Sequence, residues 1–181
     1  MKYIIDFACF LMSGEIQQFY IRGGPDAMGR LHSDILNWSD ERLEECHDHI
    51  QWMFPTAEKS LFAANYVCLT ESDVADLRVS LDARTRILAA LDRMCIFWGL
   101  GKHEDVAKWN WLHNGDHNLL RITRVIRSLR LFGLESEALE FANSAINAAV
   151  SNKIAENTLN FWRLALTVPP MQSMRNVVVN A

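Results

Sequence analysis

A set of polar residues recurs at the spacing of one helix face. His117, Arg121, Arg124 and Ser128 stand at i, i+4, i+7 and i+11, which places them in a single stripe of an α-helix. Two guanidinium groups one turn apart suit a carboxylate or a phosphate, and a helix N-terminus adds positive potential for the same ligand. In the alternative interpretation, Arg121 and Arg124 pair with internal carboxylates and hold two helices together.

A second candidate segment, residues 47–55, has the sequence HDHIQWMFP. If it is helical, His47 and Gln51 share a face and can bind a ligand together, while Trp52 contacts its apolar part. In the alternative interpretation the apolar residues are core, and the two polar side chains satisfy backbone groups at a helix end that Pro55 terminates. The residue types leave both interpretations open.

Further ligand contacts are predicted beside these segments. Asn118 stands in the first turn of the arginine-bearing helix and can orient a bound anion. Trp109 and Trp111 lie in the polar link before that helix, where they can line a pocket, although core packing is the commoner role of tryptophan.

Several other chemistries lack a signature. Arginines recur every third residue from Arg121 to Arg130, a spacing that walks around a helix, so we expect no nucleic-acid surface. His113 and His117 have the spacing of a helical metal-ligand pair, but the sequence has no HExxH motif and no finger-like cysteine spacing, so no dedicated metal site is expected. Without GxSxG, SxxK or a P-loop, covalent catalysis is not expected either. No particular cofactor is indicated.

The composition favours a water-soluble domain. The 181 residues are 50% apolar, with 18 basic against 22 acidic residues and a net charge of −4. The apolar start at residues 3–12 has no cleavage signal behind it, and no run approaches the roughly 18 apolar residues of a spanning helix. The widely spaced cysteines read as reduced thiols. We therefore expect a cytoplasmic protein with no membrane partner.

Caps and apolar stripes predict the helices that position these residues. A long entry loop is expected before Leu31, and the connector 56–69 is expected to be irregular. Helices are predicted from Leu31, over 40–49 and as far as Met53, after Thr70, over 83–98, from Asp116 or His117 to Gly133, over 136–150 and over 155–166. Pro169-Pro170 closes the fold, and 171–181 is expected to be a tail. The prediction is an all-α, single-domain, irregular helical bundle of about 6–8 helices over 1–181, with a loop-rich N-terminal segment.

Three groups of residues together resemble the conserved region of the opioid growth factor receptor family. They are Phe19-Tyr20 with Gly23, Pro25 and Gly29 ahead of Asp34-Ile35-Leu36; HDHIQWMFP at 47–55; and HNLLRITRVI at 117–126 with Ser128-Leu129 and Gly133-Leu134. The likeness extends over residues 19–165.

The resemblance implies a location for the site more than a chemistry. Animal members of the family are described as receptors for an enkephalin peptide at the nuclear periphery and carry long extensions. Here His49 stands where the family often has tyrosine, and no nuclear-type basic cluster is present, so opioid binding is not expected to transfer. The chain is similar to short stand-alone members. The shared motifs imply one site for the polar residues His47, Gln51, His117, Asn118, Arg121 and Arg124.

The leading hypothesis is a ligand-binding helical domain that holds an anionic small molecule or a peptide. A rival is a small biosynthetic enzyme that uses His47 or His117 as general acid or base. A third hypothesis is a non-catalytic structural or interaction protein, with a homo-oligomer as one form of it.

Overall fold

The computed structural model describes residues 7–58, 68–172 and 174, with side chains from residue 14 onward. The all-α prediction is confirmed: the described residues form nine α-helices and two 3₁₀-helices, and their β-structure is an isolated parallel bridge between Thr56 and Cys68. None of these helices is long and apolar enough to cross a bilayer. The chain divides into an N-terminal unit, Met1–Leu88, and a C-terminal unit, Ala89–Ala181.

The N-terminal unit contains five helices and the beginning of a sixth. They are α1 (Phe7–Tyr20), α2 (His32–Leu36), α3 (Asp40–Glu45), α4 (His49–Met53), α5 (Glu71–Val79) and α6 (Leu81–Trp98), which continues into the C-terminal unit. Within the N-terminal unit, α1 packs against α5.

Hydroxyl side chains begin three of these helices. The Ser39 hydroxyl accepts the N–H of Arg42 at 3.3 Å. Thr70 and Asp73 form a capping box, in which the Asp73 N–H donates to the Thr70 hydroxyl at 3.2 Å and the Thr70 N–H to the Asp73 carboxylate at 2.9 Å. Ser80 caps α6. Such caps satisfy backbone N–H groups that have no partner inside the helix.

The N-terminal entry segment differs from the prediction, and the connector after Pro55 is mostly not described. The expected entry loop contains α1, and irregular backbone in the described part of that region is confined to Ile21–Leu31. The reason is that Ile16, Phe19 and Tyr20 are spaced i, i+3 and i+4 and are all fully buried, so tertiary packing stabilises a helix whose own amphipathic pattern is weak. The connector prediction for 56–69 falls largely on residues 59–67, outside the described residues.

An aromatic cluster forms the core of the N-terminal unit. The Phe19 ring lies 5.4 Å from Tyr20, 5.6 Å from Trp52 and 5.5 Å from His32, measured between centroids. Arg86 donates from Nη1 to the Tyr20 carbonyl at 2.5 Å. Through Phe19, α1 therefore contacts both the segment that follows Pro25 and the segment that precedes Pro55.

The C-terminal unit is built around a central helix. Its elements are the end of α6, 3₁₀-helices Gly101–His103 and Val106–Trp111, α7 (Asn118–Leu131), α8 (Glu135–Ser151) and α9 (Glu156–Thr167). α7 packs against both α8 and α9. Gly133 ends α7 as predicted, at φ +75°, and the Leu134 N–H donates to the Leu129 carbonyl at 2.9 Å in a Schellman arrangement. The predicted tail lies outside the described residues from 175 onward.

Candidate functional site

The structure places the predicted residues of segment 47–55 in different environments. His47 is exposed, with Nδ1 2.9 Å from the Glu45 carbonyl. Gln51 is 4% exposed and Trp52 only 2%. The expected continuous helix is broken between α3 and α4, so His47 and Gln51 do not share one helix face.

A charged cluster accounts for this break. Arg30 donates two hydrogen bonds to the Asp48 carboxylate, at 2.9 and 3.1 Å, and the Cys46 thiol donates to it at 2.9 Å. Burial acts to raise the pKa of Asp48, but the hydrogen bonds from Arg30 and Cys46 lower it below its ordinary value. Burial and the bond to Asp48 raise the pKa of the Cys46 thiol. Cys46 is therefore a neutral hydrogen-bond donor here, unlike an activated nucleophile.

The start of α7 is organised by an aspartate. The Asp116 carboxylate accepts the Asn118 N–H at 2.7 Å, and its other oxygen lies 3.2 Å from His113 Nε2. His117 Nδ1 is 3.9 Å from the same carboxylate, beyond hydrogen-bond distance. His113 precedes α7, so His113 and His117 do not form the helical pair that their spacing suggests.

Three predicted ligand residues belong to a buried hydrogen-bond chain instead. Trp111 Nε1 donates to the Trp98 carbonyl at 3.1 Å, and Trp98 Nε1 donates to Asn118 Oδ1 at 3.0 Å. Arg121 donates to the same Asn118 oxygen at 3.1 Å. Asn118 has no exposed surface and Arg121 is 5% exposed. This chain ties the end of α6, the 3₁₀-helix Val106–Trp111 and the first turn of α7 together.

Asn118→Ala is expected to lower the free energy of unfolding by about 2–3 kcal/mol, because it leaves the buried Trp98 indole and one Arg121 N–H without their acceptor. Urea unfolding followed by tryptophan fluorescence measures this loss. The matched control is Asn143→Ala on the exposed face of α8, which we expect to change stability by less than about 0.5 kcal/mol. Equal stabilities of the two variants would contradict a structural role for Asn118.

The predicted polar stripe of α7 is only partly accessible. Arg121 and Ser128 are buried, and the Ser128 hydroxyl has no hydrogen-bond partner among the described residues. Solvent reaches Leu120, Thr123 and Arg124 of α7 and His117 just before it; His117, Leu120 and Arg124 are spaced i, i+3 and i+7. Leu120, which the polar pattern did not single out, is 60% exposed.

The other two arginines of α7 bind the end of α9. Arg127 donates to the carbonyls of Val168 and Pro169, at 3.0 and 3.1 Å, and to those of Pro170, at 2.8 Å, and Gln172. Arg130 donates to the carbonyls of Ala165 and Val168 at 2.8 and 2.6 Å and pairs with Glu135 at 2.8 Å. A helix C-terminus presents unsatisfied carbonyl groups and a partial negative charge. Both arginines are therefore structural.

Trp109 is the predicted tryptophan that remains half-exposed. Its indole N–H donates to the Gly99 carbonyl at 2.8 Å, and its side chain lines a groove in the C-terminal unit. Trp109 thus stands apart from the buried chain that contains Trp111.

The structure is thus an all-α protein in which the central helix of the C-terminal unit, α7, carries buried arginines. The chain matches the opioid growth factor receptor (OGFr) conserved region over residues 20–178. It belongs to this family.

Curated relatives carry the same region within longer chains. Opioid growth factor receptor-like protein 1 of Mus musculus is 34% identical over 140 residues, which cover 70% of this chain and 29% of the relative. Opioid growth factor receptor of Rattus norvegicus is 34% identical over 123 residues, covering 59% and 21%. The receptor of Homo sapiens is 34% identical over 120 residues, covering 56% and 17%. The chain thus spans 29% or less of these relatives. No solved structure matches.

Proposed function

We propose that this protein is a ligand-binding helical domain whose ligand presents an anionic group to Arg124. The supporting observation is the accessible strip of α7, in which Arg124 and His117 flank an exposed leucine, Leu120. A guanidinium group binds a carboxylate through paired N–H donors, and Leu120 offers apolar contact beside it.

Partial burial favours Arg124 over the other arginines of α7 for this role. Arg121, Arg127 and Arg130 are buried, so a ligand cannot reach their guanidinium groups. Arg124 is half-buried, so a bound anion would be shielded from some of the solvent that weakens exposed ion pairs. His117, whose side chain is 37% exposed, lies at the other end of the strip.

A short peptide with a free carboxylate is the ligand that best combines these features. It supplies an anion and an apolar side chain within a few ångströms of each other, as the strip requires. The curated relatives are named receptors or receptor-like proteins, which agrees with binding as the activity. This similarity supports binding as the class of function.

The test is a binding screen with short peptides that carry a free C-terminal carboxylate, followed by the same peptides as C-terminal amides. We expect the amides and the Arg124→Gln variant each to bind roughly tenfold or more weakly, since a charge-assisted hydrogen bond contributes about 1.5–3 kcal/mol. Arg163→Gln is the matched control, because Arg163 is an exposed arginine on α9 that pairs with Glu156. Equal affinity of acids and amides, or of wild type and Arg124→Gln, refutes the proposal.

A further inference from the structure

A groove of about 360 Å³ lies in the C-terminal unit beside α8. Its lining combines one aromatic ring, one carboxylate, and small or polar side chains. The lining residues are Glu104, Trp109, Ser144, Asn147, Ala148 and Ser151. The sequence patterns of α8 show only an amphipathic helix here, because Glu104 and Trp109 come from outside that helix.

Hydrogen bonds fix much of the groove. Trp109 donates its indole N–H to the Gly99 carbonyl at 2.8 Å, so its one polar atom is engaged and the ring remains to line the groove. The Ser144 hydroxyl accepts the Gly101 N–H at 2.7 Å. The Ser151 hydroxyl donates to the Asn147 carbonyl at 3.0 Å. A ligand would thus meet a positioned wall, which lowers the entropic cost of binding.

The Glu104 carboxylate is the charged group in this lining. Within the part of the chain that the structure describes, no hydrogen bond or ion pair engages it. The Asn147 side-chain amide likewise has no partner there. An anionic ligand would be repelled by Glu104, and a neutral ligand that covered it would leave a carboxylate without compensation.

We propose that this groove binds a cationic alkylammonium group. The positive charge pairs with the Glu104 carboxylate and lies against the Trp109 ring, whose negative π face attracts cations. The Asn147 amide oxygen can accept a hydrogen bond from an ammonium N–H. The volume is near the lower end of ligand pockets, which suits the end of a lysine-like side chain or a small amine.

This site is independent of the proposed function on α7. The ligand class has the opposite charge, and the lining residues come from α8 and the link before α7. Arg124→Gln is therefore expected to leave cation binding in the groove unchanged, so a failure of one proposal does not decide the other.

The test is an NMR titration of the full chain that follows the Trp109 indole N–H signal. The signal is assigned by its loss in Trp109→Phe. The probes are choline and Nα-acetyl-lysine methylamide at constant ionic strength, each compared with its neutral isostere, 3,3-dimethylbutanol or Nα-acetyl-norleucine methylamide. We expect saturable shifts with a cation and none with its isostere. Tighter binding of the lysine compound identifies a peptide side chain as the source, and tighter binding of choline identifies a small molecule.

Two glutamate variants complete the experiment. Glu104→Gln keeps the shape of the side chain and is expected to weaken cation binding about tenfold. Glu140→Gln removes an exposed carboxylate elsewhere on α8 and is expected to change affinity less than twofold. The proposal is overturned by equal shifts with cations and isosteres, by unchanged affinity in Glu104→Gln, or by no saturable shift with either cation.

Discussion

Replacing Arg127 with leucine is expected to lower the free energy of unfolding by about 4 kcal/mol. The guanidinium group of Arg127 binds the backbone carbonyls of four residues that follow α9, namely Val168, Pro169, Pro170 and Gln172. Pro169 and Pro170 cannot continue the helix or donate backbone N–H groups, so this segment depends on a side-chain donor. A leucine would occupy the same position but would leave these carbonyl groups without a hydrogen-bond donor.

Urea unfolding measures the loss, and limited proteolysis shows where it acts. We expect early cleavage after α9 in Arg127→Leu, because the released segment would no longer be held against α7. Arg163→Leu removes an exposed arginine of α9 and should change stability by less than about 1 kcal/mol. A small effect of Arg127→Leu, within that of the control, would show that other contacts hold the segment after α9.

Arg130→Leu is expected to act in the same direction with a smaller effect. Its guanidinium binds two carbonyls of the same region, those of Ala165 and Val168, and Glu135. Because Val168 accepts from both arginines, the effects of the two substitutions should not add.

Local signals predicted the helical elements well. Ser39 and Thr70 cap helices through contacts three residues away, and Gly133 ends α7 because its positive φ costs a glycine little. Such features depend on neighbours within one turn. One of the family motifs likewise covers the first part of α7, although its chemistry could not be deduced from the motif.

The accessible residues of α7 were harder to predict. Periodicity correctly puts Arg121 and Ser128 in one stripe, but it does not state which element covers that stripe. Arg121 is buried and donates to Asn118, which in turn accepts a hydrogen bond from Trp98, twenty residues earlier in the chain. A polar pattern alone therefore resembled a solvent-facing site. The exposed Leu120 was missed because single exposed leucines are common.

The break between α3 and α4 has a similar long-range cause. Residues 40–53 carry a helix-compatible pattern, yet Arg30 binds Asp48 from 18 residues away and draws Cys46 into the same cluster. These charge-assisted bonds compete with the backbone hydrogen bonds of a continuous helix. The groove lined by Glu104 and Trp109 also required tertiary structure, since α8 supplies its remaining residues.

Acidification is expected to destabilise the protein through His32. This imidazole is buried between the rings of Phe19 and Tyr20. Burial, and then the positive charge of Arg86, lower its pKa from 6.5 to about 4, although a hydrogen bond with the Arg86 backbone opposes the shift. The unfolded chain therefore binds a proton between pH 6.5 and 4 that the folded chain excludes. The contribution of the neutral His32 imidazole to the free energy of unfolding is complete above pH 6.5 and is lost as the pH falls from 6.5 to 4.

The expected loss is about 3 kcal/mol by pH 4, since each pKa unit corresponds to about 1.4 kcal/mol. Urea unfolding at a series of pH values between 7.5 and 4 compares wild type with His32→Leu, which fills the aromatic cluster with a side chain that cannot titrate. The difference in stability between the two proteins should change by this amount across the window. His113→Gln, a substitution of an exposed histidine, should keep the wild-type profile. Parallel profiles for wild type and His32→Leu would mean that the buried imidazole accepts its proton without disrupting the cluster, and that carboxylates alone set the acid limit of this fold.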